Sequence, residues 1–210
     1  AILKIYEQIL SGKIKTPITS LANFYMRPKG AVIKTITSNL ALKWVRNNFP
    51  QIPIVFIIRH PCAFTSSRIK FGNPIDISFN QLIEKEDLIN SLFKDKKKII
   101  NNCNSTIEMH AVLWCIETYV PLTLMEKDDW IMTTYEDLNL NLLDEFRKII
   151  NYINPNNNFE PENIKNVISS STSVKKSRHS EYYRISKWKS ELTQNQIQRI
   201  LEIVKSFSLD

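Results

Sequence analysis

The stretch of residues 52–67, IPIVFIIRHPCAFTSS, decides how the rest of the chain is interpreted. Its first half is a continuous apolar run at residues 54–58, which is typical of a strand buried on both faces of a parallel sheet. Arg59 follows at the carboxyl end of this predicted strand. Pro61 stands where a helix can begin, because its fixed φ suits the first helical position. The stretch therefore predicts a strand–turn–helix unit with a guanidinium at the turn.

Open α/β sheets use this geometry to hold phosphate groups. Arg59 offers a planar set of donors, and Ser67, eight residues later on the predicted helix, offers a hydroxyl. We therefore predict that Arg59 and Ser67 bind a phosphate. The alternative role for Arg59 is a salt bridge at the end of the strand.

The flanking segments continue the alternation of strands and helices. Strands are predicted at residues 31–35 (AVIKT) and 130–134 (WIMTT), and helices at residues 39–48 and 141–153. This order predicts an α/β fold with a parallel β-sheet flanked by helices, in a single domain spanning residues 1–210.

Two capping boxes mark further helices. Ser105 and Glu108 start a long helix, which Pro121 should kink or end. Thr193 and Gln196 start the last helix, whose predicted buried stripe is Ile197, Ile200, Leu201, Val204 and Phe207. The polar stretch at residues 73–104, with its lysine run at 94–98, is expected to be a solvated helix face or a mobile lid.

Composition narrows the class of partner. The chain has 210 residues and a net charge of +7, which favours an anionic partner, although abundant lysine alone would produce the same charge. No interleaved basic and aromatic platform is present, so we expect no nucleic acid partner. No apolar run approaches the ~18 residues of a membrane span, so we expect no transmembrane segment.

The three cysteines indicate a reducing compartment. Cys62, Cys103 and Cys115 are scattered, with no metal-like spacing. We expect Cys62 and Cys115 in the core, no disulfide framework, no metal site and a cytoplasmic protein.

Several stretches, taken in order, resemble the sulfotransferases that use 3′-phosphoadenosine-5′-phosphosulfate. They are VIKT, FIIRHPCAFTSS, MHAVLWCIETYVPL, TTYEDL and ISKWKSELTQNQ, and the resemblance extends over residues 34–209. The resemblance implies a P-loop-like sulfotransferase architecture. It also implies transfer of a sulfuryl group from that donor to a hydroxyl or amine acceptor of unknown identity, with adenosine 3′,5′-bisphosphate as the product.

The resemblance also implies roles for individual residues. Arg59 and Ser67 would hold the 3′-phosphate, and Tyr135 would lie near the adenine. Arg184 and Lys189 would supply a second cationic grip from the C-terminal segment, where the glycine-containing version typical of the family is absent. Glu136 and Asp137 are expected to brace the fold instead, because an acid beside a phosphate would repel it.

The catalytic positions depart from the family pattern. Lys34 would lie beside the transferring group, but Ile36 stands where a histidine base is expected. Glu108 and His110 are the nearest alternative bases, each with a capping or surface role as the competing interpretation.

No Lys-x-Gly-x-Thr loop for the 5′-phosphosulfate occurs, and residues 1–12 resemble the helix that should follow it. We therefore expect the first strand and this loop to be absent from the chain, and the chain alone to transfer poorly or not at all. The alternatives are a non-catalytic nucleotide-binding module of the same fold and a P-loop nucleotide kinase. The absence of a Walker lysine speaks against the kinase.

Overall fold

The structure is a computed structural model that describes residues 4, 7, 8, 32–36, 38–72, 75–84, 86–156 and 181–209. The chain divides into two compact units, Ala1–Ser38 and Asn39–Asp210, and each is described by itself. In the first unit Lys4, Glu7 and Gln8 are helical. The second unit is mostly helical with a small parallel sheet, which confirms the α/β class. The single domain over residues 1–210 stays a prediction.

The bounds of the elements in the second unit are as follows. The strands are β1 Val55–Ile58 and β2 Ile131–Thr134. The α-helices are α1 Leu42–Asn48, α2 Pro61–Lys70, α3 Ile75–Ile83, α4 Glu86–Leu92, α5 Lys97–Asn101, α6 Thr106–Leu124, α7 Tyr135–Leu140, α8 Leu142–Ile153, α9 Glu181–Ser186, α10 Trp188–Glu191 and α11 Gln194–Ser206. Short 3-10 turns lie at Asn39–Ala41, Lys94–Lys96 and Lys127–Asp129.

The two strands pair in parallel, in a register that runs from Val55 opposite Ile131 to Ile58 opposite Thr134. This confirms both predicted strands of the second unit. The expectation that β1 is buried on both faces is wrong, because Ile57 is 51% exposed. Side chains alternate along a strand, so Ile57 lies on the face opposite to the buried Phe56.

The strand predicted at residues 31–35 does not form where the structure describes it. Residues 32–35 have no regular structure, and Val32 is 97% exposed. The hydroxyls of Thr35 and Ser38 share a hydrogen bond of 2.8 Å. A short apolar segment becomes a strand only where it can pair and bury a face, which sequence pattern alone does not guarantee.

Helix α6 is the longest of the described elements, and other helices pack around it. Ser105 caps it by accepting a hydrogen bond from the backbone N–H of Glu108, which confirms its predicted start. Pro121 does not end the helix, which continues to Leu124, because the backbone N–H of Met125 donates to the Pro121 carbonyl at 2.9 Å. Helices α2, α3 and α11 pack against it.

The segment between α2 and α6 is part of the core, so the interpretation as a mobile lid is wrong. Phe93 is fully buried, with its ring centroid 5.3 Å from that of Tyr119 and 5.8 Å from that of Phe207. Lys94 and Lys98 are exposed, as expected of a solvated face. The other buried side chains of this segment are Phe79, Leu82, Ile89 and Ile100.

The last helix, α11, has the capping box that the sequence predicts, with Thr193 and Gln196 bonded reciprocally. Its buried stripe differs from the predicted one, and Ile197 is only half-buried. Ile203 is 2% exposed, whereas Leu201, which was predicted to be buried, is 42% exposed. The core takes the positions that lie three or four residues from Ile200 and Phe207, which are both fully buried.

We predict that Phe93→Ala lowers the free energy of unfolding by about 3–5 kcal/mol, because it leaves a cavity beside the rings of Tyr119 and Phe207. Phe71→Ala is the matched control, since the Phe71 side chain is 70% exposed and its removal should change stability by less than about 0.5 kcal/mol. Urea denaturation followed by circular dichroism measures both. Equal effects of the two substitutions would contradict this account of the core.

Candidate anion-binding site

The turn between β1 and α2 has the strand–turn–helix form that the sequence predicts. Arg59 and His60 connect β1 to α2, and Pro61 is the first residue of the helix. His60 caps the helix, because its Nδ1 accepts a hydrogen bond of 3.2 Å from the backbone N–H of Cys62. The indole Nε1 of Trp114 on α6 donates to the Arg59 carbonyl at 2.9 Å. The turn is thereby attached to the central helix.

The guanidinium of Arg59 has no counter-ion among the described residues. Its Cζ lies 4.6 Å from the centroid of the Tyr135 ring, in a cation–π contact. Its Nε is buried and has no hydrogen-bond partner in that part of the chain. Among the described residues, Arg59 therefore does not form the salt bridge that was the alternative role for it. Because a buried donor left unpaired is costly, the arrangement fits a site for an anion.

Tyr135 and Arg59, two of the predicted binding residues, are therefore brought together. Tyr135 is the first residue of α7 and follows directly from the end of β2. The next two residues brace the fold as expected. Glu136 accepts a hydrogen bond from the His60 N–H at 3.2 Å, and Asp137 accepts one from the Thr134 hydroxyl at 2.7 Å. Neither carboxylate pairs with Arg59.

Ser67 lies on α2 and is half-buried. Its hydroxyl makes no hydrogen bond among the residues that the structure describes, which leaves it available to a ligand. Ser66 is engaged instead, because its hydroxyl donates to Glu191 at 2.5 Å. The assignment of Ser67 to a phosphate stays a prediction.

Glu191 attaches the C-terminal segment to α2. Besides Ser66, its carboxylate pairs with Lys70 and with Lys187, each at 3.3 Å. Burial is the largest single influence on the pKa of Glu191 and raises it. The hydrogen bonds and charges together outweigh burial, so the pKa lies below its ordinary value. A cavity of about 310 Å³ lies at this joint, lined by Ser66, Ile69, Lys70, Glu191 and Leu192.

The same joint places Lys189 near the turn. The Trp188 ring stacks on His60, with centroids 4.5 Å apart and planes 15° apart. The Lys189 ammonium lies 5.6 Å from the centroid of the Trp188 ring, and its charge contributes to lowering the pKa of His60. Arg184 is exposed on α9, which packs against α7.

Glu108 and His110, two of the predicted catalytic residues, both lie on α6. Glu108 is paired with Arg199 at 2.6 Å and accepts from the Asn104 N–H. Burial would raise the pKa of Glu108, but these hydrogen bonds lower it below its ordinary value. Lys34 is exposed in the first unit, and its role stays a prediction.

His110 is not a surface residue, which corrects the alternative interpretation of it. Its side chain is 1% exposed, and both ring nitrogens are buried without partners in the described ranges. Burial, and then the charge of Arg68, lower the pKa of His110 to about 4, so the ring is neutral at neutral pH.

Sequence reasoning missed two residues. No role for His60 is predicted from the sequence, although a histidine directly before a helix-starting proline can cap the helix. Glu117 lies half-buried on α6, two turns after His110. Burial raises the pKa of Glu117 to about 7, and the charge of Arg68 acts against this. An acid within an apolar helix was the signal that could have found it.

The three thiols are free, and Cys62 and Cys115 are fully buried, as predicted. Burial raises the pKa of Cys62 to about 11, so its thiol is a weak nucleophile at neutral pH. Over the described residues, no cluster of three or more metal-ligating side chains occurs. In the same part of the chain, no helix is both long and apolar enough to cross a bilayer.

Comparisons of this chain with protein-family models, curated proteins and solved structures gave no match.

We predict that Glu117→Gln stabilises the protein increasingly as the pH rises. In the folded wild type Glu117 keeps its proton up to about pH 7, whereas the unfolded chain releases it near the ordinary value of 4.5. The folded state binds more protons between these values, so wild-type stability falls as pH rises through this window. The variant lacks this loss, and its advantage should grow by roughly 1–3 kcal/mol between about pH 5 and about pH 8.

Urea denaturation across this pH range measures the difference in the free energy of unfolding between the two proteins. The titration of His110 is common to both proteins and so cancels from this difference. Glu84→Gln is the control, because it removes the same charge from an exposed side chain. A pH-independent difference between Glu117→Gln and wild type would contradict the account of Glu117.

Proposed function

We propose that this chain binds 3′-phosphoadenosine-5′-phosphosulfate through its 3′-phosphate at Arg59, and that the protein transfers the sulfuryl group to a hydroxyl or amine acceptor. The observation that carries the proposal is the guanidinium of Arg59. It stands at the carboxyl end of a parallel strand, with a buried Nε that no described residue satisfies.

The chemistry around Arg59 suits a phosphate. A guanidinium can bond two phosphate oxygens at once, and such charge-assisted hydrogen bonds are stronger than neutral ones. The Tyr135 ring holds the guanidinium in place without neutralising it. The nearby carboxylates of Glu136 and Asp137 are occupied by other donors. The site thus presents a guanidinium that forms no ion pair among the described residues.

Transfer would proceed in line. The bond from sulfur to the phosphate oxygen breaks, a bond from sulfur to the acceptor forms, and a base takes the acceptor's proton. Adenosine 3′,5′-bisphosphate leaves. In such a reaction the protein mainly positions the reactants and neutralises charge on the bridging oxygen.

The second candidate function is nucleotide binding without transfer by a module of the same fold. Two observations favour it. Ile36 occupies the position of the expected histidine base. The two alternative bases are both committed elsewhere, because Glu108 is paired with Arg199 and His110 is buried.

We predict that the chain binds adenosine 3′,5′-bisphosphate and that Arg59→Ala weakens this binding by about 2–5 kcal/mol, because a charged contact in a largely buried site is lost. Isothermal titration calorimetry measures both proteins. Arg147→Ala is the matched control, since Arg147 lies on α8 in an exposed pair with Asp144 and its removal should leave affinity unchanged.

The 3′-phosphate is tested with adenosine 5′-monophosphate, which lacks it. We expect the wild type to bind this nucleotide more weakly than the bisphosphate. We also expect the wild type and Arg59→Ala to have similar affinities for it. Equal affinity of wild type and Arg59→Ala for the bisphosphate would refute the proposed site.

We further predict that the 210-residue chain gives little or no sulfated product, because it contains no Lys-x-Gly-x-Thr loop to hold the 5′-phosphosulfate. Mass spectrometry of a panel of hydroxyl and amine acceptors, incubated with the donor, measures the product. Robust turnover would overturn this expectation and would also exclude the binding-only function.

A further inference from the structure

Two contacts hold the His60 ring, and the first of them sets which ring nitrogen carries the proton. Its Nδ1 accepts a hydrogen bond from the Cys62 N–H at 3.2 Å, and its ring stacks on Trp188. A ring nitrogen that accepts a hydrogen bond carries no proton, so the neutral ring carries its proton on Nε2. Burial favours this neutral form by lowering the pKa of His60, Glu136 acts in the opposite direction, and Lys189 adds to the lowering.

The Nε2 atom of His60 is a donor with no partner. No described residue bonds to it, and it is not among the buried unsatisfied atoms, so solvent reaches it. His60 follows Arg59 directly. The charges of Glu136, which follows Tyr135 in the chain, and of Lys189 both act on His60. His60 is therefore close to both segments that carry the other residues of the proposed site.

We propose that His60 is a second ligand of the anion at Arg59, donating a hydrogen bond from Nε2, and that the stacked Trp188 ring holds the imidazole in position for this contact. The proposal rests on the proposed function, because it assigns a further ligand to the same 3′-phosphate. It also assigns a role to the C-terminal segment, since Glu191 attaches α10, and with it Trp188, to α2.

The competing explanation is that His60 serves only as the helix cap. His60→Asn separates the two roles. The asparagine Oδ1 can accept from the Cys62 N–H as Nδ1 does, and asparagine is a favourable N-cap, but it has no group that reaches the position of Nε2. Trp188→Leu is a second variant, which keeps the imidazole and removes the flat ring that orients it.

The experiment measures the affinity of the wild type, His60→Asn and Trp188→Leu for adenosine 3′,5′-bisphosphate and for adenosine 5′-monophosphate. We expect His60→Asn to bind the bisphosphate about tenfold or more weakly, the typical size of a lost hydrogen bond to a charged group, and the monophosphate unchanged. Trp188→Leu should lose less than His60→Asn. Circular dichroism establishes that each variant is folded.

The outcomes separate the two proposals. If the wild type binds the bisphosphate and His60→Asn binds it equally well, the role of His60 is refuted and the site at Arg59 stands. If the wild type does not bind it, both fall.

A second measurement does not depend on the variants folding. Nitrogen-15 NMR of the wild type should show His60 in the Nε2-protonated form, with its Nε2 resonance shifting on addition of the bisphosphate. An Nδ1-protonated ring, or an Nε2 resonance that ligand leaves unmoved, would refute the proposal.

Discussion

The hydrogen bond from the Trp114 indole to the Arg59 carbonyl attaches the β1–α2 turn to the longest helix, and the candidate site depends on this contact. Trp114 is 7% exposed, so its N–H needs a protein partner, and the strand-end carbonyl supplies one. The backbone of Arg59 is thereby held. Its side chain is left to extend over Tyr135, at the end of the neighbouring strand. A turn without this attachment would not keep an unpaired guanidinium in one place.

Three segments that are distant in sequence converge on this turn. Residue 59 directly follows β1, residue 135 begins the helix after β2, and residue 188 begins α10. Parallel pairing explains the first two, since the carboxyl ends of parallel strands lie at the same edge of a sheet. The third is placed by side chains, because Glu191 bonds to α2 and Trp188 stacks on His60. Among the described residues, the carboxylate of Glu136 accepts from a backbone N–H and that of Glu191 pairs with lysines. Neither pairs with Arg59.

Much of this arrangement could be predicted from local patterns. The apolar run before Arg59 and the proline after it each have a short-range cause in backbone geometry, and the strand and the helix start that they predict are observed. The failures have a different cause. Residues 32–35 carry a strand-like pattern without a paired strand, Leu201 lies outside the buried stripe, and residues 75–101 contribute core aromatics despite their polar composition. In each case the outcome depends on which surface the segment meets, and local pattern does not record that.

The sequence by itself determined the strand–turn–helix around Arg59, the capped starts of α6 and α11 and the burial of Cys62 and Cys115, because propensity, capping chemistry and hydrophobicity act over a few residues. Only the tertiary structure decided that Arg59 lies against Tyr135 without a carboxylate, that His60 is both a cap and a stacked ring, and that Glu117 and His110 are desolvated. These properties arise from packing between segments that are far apart along the chain, since the dielectric environment and the available partners of a side chain are set by its neighbours in space.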